Sequence, residues 1–380
     1  MELLIVFGLL TAGLIAVFQN DDDEATVDGG GDGGSDGGGD DGTGGGDGGP
    51  GDGPGDGGGG DGGMLGMLIE GTDGADSLAG AEGDDTINGL DGDDVIDGGA
   101  GDDDILGGLG DDTINGGEGD DTIGAAAGND IIDGGEGDDS IRGGNDGDQI
   151  SGGDGADFID GANSGDVLLG EDGDDTILGG RGDDFLSGGA GADYLDGGVG
   201  SDILYGAADD DELFGGDNDD LLVGEEGEDT LRGGGGDDIL IGGGVGVSGD
   251  DDEILTFFTD DEGDVLRGEA GHDQIFMDTN DTVNGGIGED VFLTGVYVDE
   301  DNTPIVNDWD DGEDILAIVV EEGAPGLVTI EEGDEAGQAD VFVDGQKVAE
   351  VVGAFGTLTL DDITVVEADV TANTVSPIAA

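Results

Sequence analysis

The chain has 380 residues, with 100 acidic against 5 basic side chains, 94 glycines, no cysteine and a formal net charge of −95 at pH 7. That charge excludes nucleic acid and anionic membrane surfaces as electrostatic partners and invites multivalent cations, and the missing cysteine excludes disulfide staples while leaving the compartment open. Glycine and proline make up about a quarter of the residues, a composition that without a period points to an unfolded chain.

Residues 3–18 are apolar apart from Gly8, Thr11 and Gly13, and Gln19-Asn20-Asp21-Asp22-Asp23-Glu24 follow at once. The run is shorter than the ~20 residues that usually span a bilayer. Glu2 precedes it and no basic residue comes before Arg142, so the positive-inside rule gives no orientation. Residues 1–20 read as a signal or membrane anchor through residues 3–18, with an uncleaved anchor ahead because no clean small-residue cleavage site appears. Residues 21–63 read as a flexible, self-repelling Gly/Asp linker, since no apolar residue lies between Val27 and Met64. Gly33-Gly34-Ser35-Asp36-Gly37 matches G-x-S-x-G by composition only, because a nucleophile elbow needs a strand before it and a helix after it.

From Gly71 to Ile241, within a segment 64–241, the sequence falls into nineteen nonapeptides without insertion, such as Gly98-Gly99-Ala100-Gly101-Asp102-Asp103-Asp104-Ile105-Leu106. Position one is Gly except at Ala125, and position eight is always Leu or Ile. Position six is always Asp: Asp76, Asp85, Asp94, Asp103, Asp112, Asp121, Asp130, Asp139, Asp148, Asp157, Asp166, Asp175, Asp184, Asp193, Asp202, Asp211, Asp220, Asp229 and Asp238. A fixed Asp and a fixed aliphatic recurring in one phase specify a solenoid. Positions one to six are expected to turn, with glycines admitting positive φ. Positions seven to nine are expected to form a short strand, with eight facing inward. Two nonapeptides then make one coil of an all-β, parallel β-roll or β-helix, and at ~4.8 Å per coil the array forms a rod of roughly 45 Å. At position four Asp146, Ser164, Asp209 and Asn218 replace Gly, and a left-handed turn is easier for Asp and Asn than for Ser164. Position five is Asp or Glu in most repeats, as at Asp84, Asp93, Asp102 and Asp111; a solvated acidic rim is the favoured reading over extra coordination.

Outward positions compared every eighteen residues split the array. Position seven reads Val167, Phe185, Ile203, Leu221, Ile239 on one sheet, and position nine adds Leu169, Tyr205, Val223 and Ile241, whereas earlier coils carry Ser77, Thr113, Gln149 and Asn115 there, with Val95 and Ile131 as exceptions. A connected apolar strip of this size calls for a cover: an insertion with Phe257-Phe258, the segment 295–370, a partner or a second copy. No regular Thr array supports ice binding.

Residues 242–294 read as an irregular insertion followed by the last repeats, with a weak return at Asp264-Val265-Leu266 and full units carrying Asp273 and Asp290. Residues 295–380 read as a β-rich cap and tail closing the open end of the solenoid. Strands are expected at 296–298, 315–320, 327–330, 340–343, 347–352, 358–360 and 363–366, and Val343-Asp344-Gly345-Gln346 carries a hairpin signal.

The repeat resembles the RTX (hemolysin-type) calcium-binding nonapeptide G-G-x-G-x-D-x-U-x, and the stretch from Val306 through Trp309 to Leu316 resembles the segment that follows the last repeat in secreted members. The resemblance implies Ca2+ ions between turns of successive coils, shared by every position-six Asp named above together with Asp273 and Asp290, and completed by turn carbonyls. Calcium takes six to eight oxygen ligands, which the repeat supplies with few side chains. A ligand that binds only the folded state stabilises it, and extracellular calcium modules work at around 10⁻⁴–10⁻³ M, so the chain is expected to fold outside the cytosol.

Many members carry a protease, lipase or toxin domain ahead of the repeats; here that stretch is the linker. His272, the one histidine, falls at position five of a repeat and cannot alone make an H-E-x-x-H zinc site, so it reads as a turn substitution. The expected protein is non-enzymatic, surface-anchored or secreted by a bacterium, and structural, adhesive or matrix-forming. The competing reading is an effector or carrier exported by a type I system, whose repeats serve calcium-driven folding after export.

Overall fold

The computed structural model describes residues 66–243, 245–247, 255–257, 263–295, 303–309, 314–321, 327–333, 337–354, 356–369 and 374–377. The apolar N-terminal run, the Gly/Asp linker, the strand expected at 296–298, Phe258 and most of the insertion lie outside them. Among the described residues no helix is long and apolar enough to cross a membrane.

Two parallel sheets, of 16 and 15 strands, carry the fold. Successive strands go to opposite sheets. Thr86–Asp91 therefore pairs with Asp104–Leu109, and Val95–Ala100 with Thr113–Glu118. Partners sit eighteen residues apart, as in Ile87↔Ile105 and Ile105↔Ile123. Two nonapeptides thus make one coil of a parallel β-roll, as the periodicity requires.

The strands are longer than expected. Most contain six residues, running from position seven to position three of the next unit, as in Thr113–Glu118 and Thr176–Arg181. The ladder persists because position one, two residues after the aliphatic, also faces inward, and Gly lets the backbones stay close there. Position two takes positive φ, and so do Leu90 (82°), Ala162 (81°), Glu171 (81°) and Glu225 (78°), where no glycine relieves the strain. All four departures at position four hold the same left-handed conformation, Ser164 included at 82°.

The core is a file of position-eight aliphatics, from Ile87 through Ile150 and Leu186 to Leu240, each at most 2% exposed. After Ile241 a short antiparallel hairpin, Val245–Val247 with Leu255–Phe257, interrupts the roll. Val265–Ala270 then rejoins the ladder through Thr230↔Val265. Past residue 295 both sheets continue: Ile315–Glu321 and Ile363–Asp369 extend one in parallel, and Ile305–Val306 and Gln346–Val351 extend the other. Antiparallel strands then end the sheets, Ala339–Val343 and Val328–Glu332 on one and Thr374–Pro377 on the other. The hairpin signal holds: Val343 pairs with Gln346 across Asp344 (φ 52°) and Gly345 (φ 92°). The strand expected at 358–360 is instead a bend ending in the 3₁₀ turn Leu360–Asp362. Asp362 Oδ2 accepts both the N–H and the hydroxyl of Thr359 and closes the backbone on itself.

The apolar strip lies on the 15-stranded sheet. Val167 is 38% exposed, Phe185, Ile203, Leu221 and Ile239 are half-buried, and Tyr205, Val223 and Ile241 are buried although position nine faces away from the core.

Candidate metal centre: the aspartate ladders

Each strand is entered through a position-six Asp whose side chain folds back into the turn. Asp85, Asp103, Asp121, Asp139, Asp157, Asp175, Asp193, Asp211 and Asp229 lead into strands of the 16-stranded sheet. Asp94, Asp112, Asp130, Asp148, Asp166, Asp184, Asp202, Asp220, Asp238, Asp273 and Asp290 lead into the other, and all twenty are at most 3% exposed. Only Asp76, at the first described coil, is half-buried, with its Oδ2 accepting from the Thr72 N–H and hydroxyl.

One oxygen of each carboxylate is spoken for. Asp103 Oδ1 accepts the N–H of Asp85 at 2.7 Å, Asp121 Oδ1 that of Asp103 at 2.7 Å, and Asp139 Oδ1 that of Asp121 at 2.7 Å. The same bond recurs along the other sheet, for example from Asp130 N–H to Asp148 Oδ1 at 2.9 Å. Every position-six residue thus caps the amide of its counterpart one coil earlier.

The second oxygen is different. Oδ2 of each position-six residue from Asp94 to Asp220, and of Asp238 and Asp273, is buried and has no hydrogen-bond partner. It lies over the position-one glycine: a Cβ on Gly98 would meet Asp103 Oδ2 at 2.5 Å and the Gly116 carbonyl oxygen of the next coil at 2.4 Å. Gly is required there by this close approach, not by φ. Ala125 is the single exception.

A buried carboxylate without a counter-charge resists ionisation. Burial, reinforced by neighbouring carboxylates and partly offset by the backbone bond, pushes Asp139, Asp148 and Asp166 up to about 7. The same causes push Asp211 and Asp220 up to about 8. Each row therefore presents a line of oxygens that lack a positive partner.

A second ladder runs at position five with the opposite sense. Asp102 Oδ1 accepts the N–H of Asp120, and Asp120 Oδ1 that of Asp138, so each caps the coil that follows. These side chains are exposed, as a rim would be, yet they are also bonded. His272 occupies a rung: its N–H donates to Asp237 Oδ1 at 3.0 Å, and its Nδ1 accepts the Glu289 N–H at 2.9 Å. It stands in for an aspartate as an acceptor.

Three ladder members are not among the expected ligands, although Asp264-Val265-Leu266 reads as a weak return of the repeat. Asp229 N–H donates to Asp264 Oδ1, Asp264 N–H to Asp281 Oδ1, and Asp290 N–H to Asp314 Oδ1. Positions one and two before them are not glycine, but each still opens a D-x-U triplet: Asp264-Val265-Leu266, Asp281-Thr282-Val283 and Asp314-Ile315-Leu316. That triplet was the usable signal.

The carboxylates stand in single file, and among the described residues no group of three or more His, Cys, Asp or Glu gathers as a metal cage. A hard divalent cation needs six to eight oxygens. The donor set fits one if the orphaned Oδ2 atoms are joined by backbone carbonyls such as that of Gly116, which already converges on the same space.

The RTX calcium-binding nonapeptide repeat family matches the chain in overlapping segments from residue 70 to 244 and again at 256–276 and 277–295, more than half of its length. No curated protein matches it. Among solved structures it is similar to a subunit of the Azotobacter vinelandii mannuronan C5-epimerase, with 18% identity over 41% of this chain and 78% of that one at a TM-score of 0.24. It is also similar to the extracellular lipase LipA from Serratia marcescens, with 17% identity over 57% of this chain and 40% of the lipase at a TM-score of 0.19. With its repeats matched in the register that its strands adopt, the chain belongs to the RTX calcium-binding nonapeptide repeat family.

Proposed function

We propose that the roll is a calcium-built, non-enzymatic scaffold, surface-anchored or secreted, that serves as a structural, adhesive or matrix element. The observation that carries this reading is the run of buried position-six carboxylates from Asp94 to Asp220 whose Oδ2 atoms lack a hydrogen-bond partner. The ligands are the position-six residues from Asp76 to Asp290, with Asp264, Asp281 and Asp314 continuing the rows. Calcium supplies the missing positive charge there. The chain's own part is to hold each Oδ1 on a backbone amide so that Oδ2 stays fixed, and to keep water out with the aliphatic file. One small aliphatic per nonapeptide cannot alone offset the chain entropy of ordering the unit, so folding is linked to the ion.

A circular dichroism titration tests this: β signal should appear with millimolar calcium and vanish with chelator. Equal β content in chelator at pH 7.5 sinks it. Residues 1–20 are the anchor in this reading, and cell fractionation with and without them checks it, since release of both forms into the medium would favour a freely exported carrier. The burial of Tyr205, Val223 and Ile241 supports a contact on the apolar strip. Light scattering on calcium-loaded protein assigns that contact, to the chain itself for a monomer and to a second copy for a dimer.

A further inference from the structure

The outward face of the 16-stranded sheet carries a groove that borders the calcium row at Asp175, Asp193 and Asp211 and extends beyond it over the sheet. A cavity of about 590 Å³ runs across five rungs, from Thr176 through Tyr194, Glu212 and Thr230 to Val265, and is bordered by Arg232 and Arg267. Rungs are ~4.8 Å apart, so the groove is roughly 20 Å long, the reach of an extended chain of rings.

Its side chains are unlike the rest of the surface. Two of the chain's five basic residues, Arg232 and Arg267, stand directly opposite each other on adjacent strands. Like charges so placed repel, and in a chain of net charge −95 only Arg232 of the two has a carboxylate partner among the described residues. Arg267 is exposed and has no ion pair or hydrogen bond among the described residues. Arg232 sits 4.8 Å over the Phe214 ring and 3.7 Å from Glu212 Oε1, yet its buried Nε has no hydrogen-bond partner. An exposed, unpaired guanidinium directly beside a half-buried one is a place prepared for an acceptor. Tyr194 packs on Phe214 with ring centroids 5.2 Å apart, which adds an apolar floor. The opposite wall is acidic, with Asp174, Asp210 and Glu228 exposed.

These three elements narrow the ligand. The acidic wall repels a polyanion such as a nucleic acid or an acidic peptide, whose many charges cannot all sit on two arginines, and the arginine pair repels a cation. A neutral sugar would leave the Arg267 guanidinium unused. We infer that the groove binds a saccharide that carries an anionic group: the group on Arg232 and Arg267, ring hydroxyls donating to the acidic wall, and a C–H face on Tyr194. Carboxylate and phosphate share the required geometry, since a guanidinium fork meets either in a bidentate manner. The site goes beyond the scaffold role and rests on the calcium-folded roll proposed above.

Calorimetry on the calcium-loaded full chain tests it with sialyllactose, glucose 6-phosphate and lactose as probes. One of the two anionic sugars should bind, and its identity assigns the anion. Lactose should bind at least about tenfold more weakly, and Arg267→Gln should weaken the anionic sugar by about tenfold or more. Arg142→Gln, whose parent pairs with Asp160 outside the groove, should change nothing. The inference is overturned if neither anionic sugar binds, if lactose binds equally well, if Arg267→Gln binds like the parent, or if Arg142→Gln loses as much. Circular dichroism of the same samples separates the two readings: a chain that stays unfolded in calcium defeats the scaffold, whereas a folded chain that ignores the sugars defeats only the groove.

Discussion

Asp148 does two jobs with two oxygens, and substitutions can separate them. In Asp148→Asn the retained Oδ1 still accepts the Asp130 N–H, but the charge is gone. The calcium midpoint should rise with little loss of the fully loaded fold. Asp148→Ala also strips the Asp130 amide of its acceptor and should cost about 1–3 kcal/mol more, read by thermal melts in saturating calcium. At position one, Gly98→Ala forces a methyl against Asp103 Oδ2 and the Gly116 carbonyl; it should destabilise the loaded roll by about 1–3 kcal/mol, measured in the same melts. Both sites were legible in the sequence because Asp and Gly recur in fixed phase. The division of labour between Oδ1 and Oδ2 was not, since it depends on where the neighbouring coil places its amide.

At the level of the strand and its turn, the rows of carboxylates set a pH dependence. Burial raises the folded values from 3.8 to about 7 at Asp139, Asp148, Asp166, Asp193 and Asp273, and to about 8 at Asp211 and Asp220. Between these values and the unfolded one, the folded state holds more protons, so stability falls as pH rises. In chelator the roll should therefore be most stable near pH 4, lose stability progressively up to about pH 8, and regain it at pH 7.5 only with calcium. Circular dichroism across this range checks the sign, and a metal-free roll that is more stable at pH 8 than at pH 4 contradicts it. Strand length was the least legible feature at this scale. Nothing in the letters at Leu90, Ala162 or Glu171 announces a positive φ; the ladder on either side imposes it. Likewise Asp264, Asp281 and Asp314 kept the triplet that joins the ladder but lack the glycines at positions one and two by which a nonapeptide is recognised.

Across the whole molecule, stability is passed between neighbours, because each coil contacts mainly the one before and the one after. The strands beyond residue 295 add to both sheets and end them in antiparallel pairs. A chain stopped at residue 295 leaves Leu293 and Phe292 without the Ala317 and Leu316 strand that covers them. It should need more calcium for half-folding and give a less cooperative titration. The change in composition after Gly295 made the presence of a terminal segment legible. Its continuity with both sheets was not, because parallel pairing over long connections leaves no local mark.

The two ladders cap in opposite directions, position six toward the coil before and position five toward the coil after. Most junctions between coils are therefore fastened from both sides, but at Gly147, Ala156, Gly165, Ala192 and Ser201 position five has no carboxylate and the position-six bond holds alone. Under tension along the axis such a rod gives way from an end or at those seams, one coil at a time. Each coil of eighteen residues would release roughly 60 Å of contour, and each would close again when the load drops and calcium returns. A tether built this way stretches in even steps and resets.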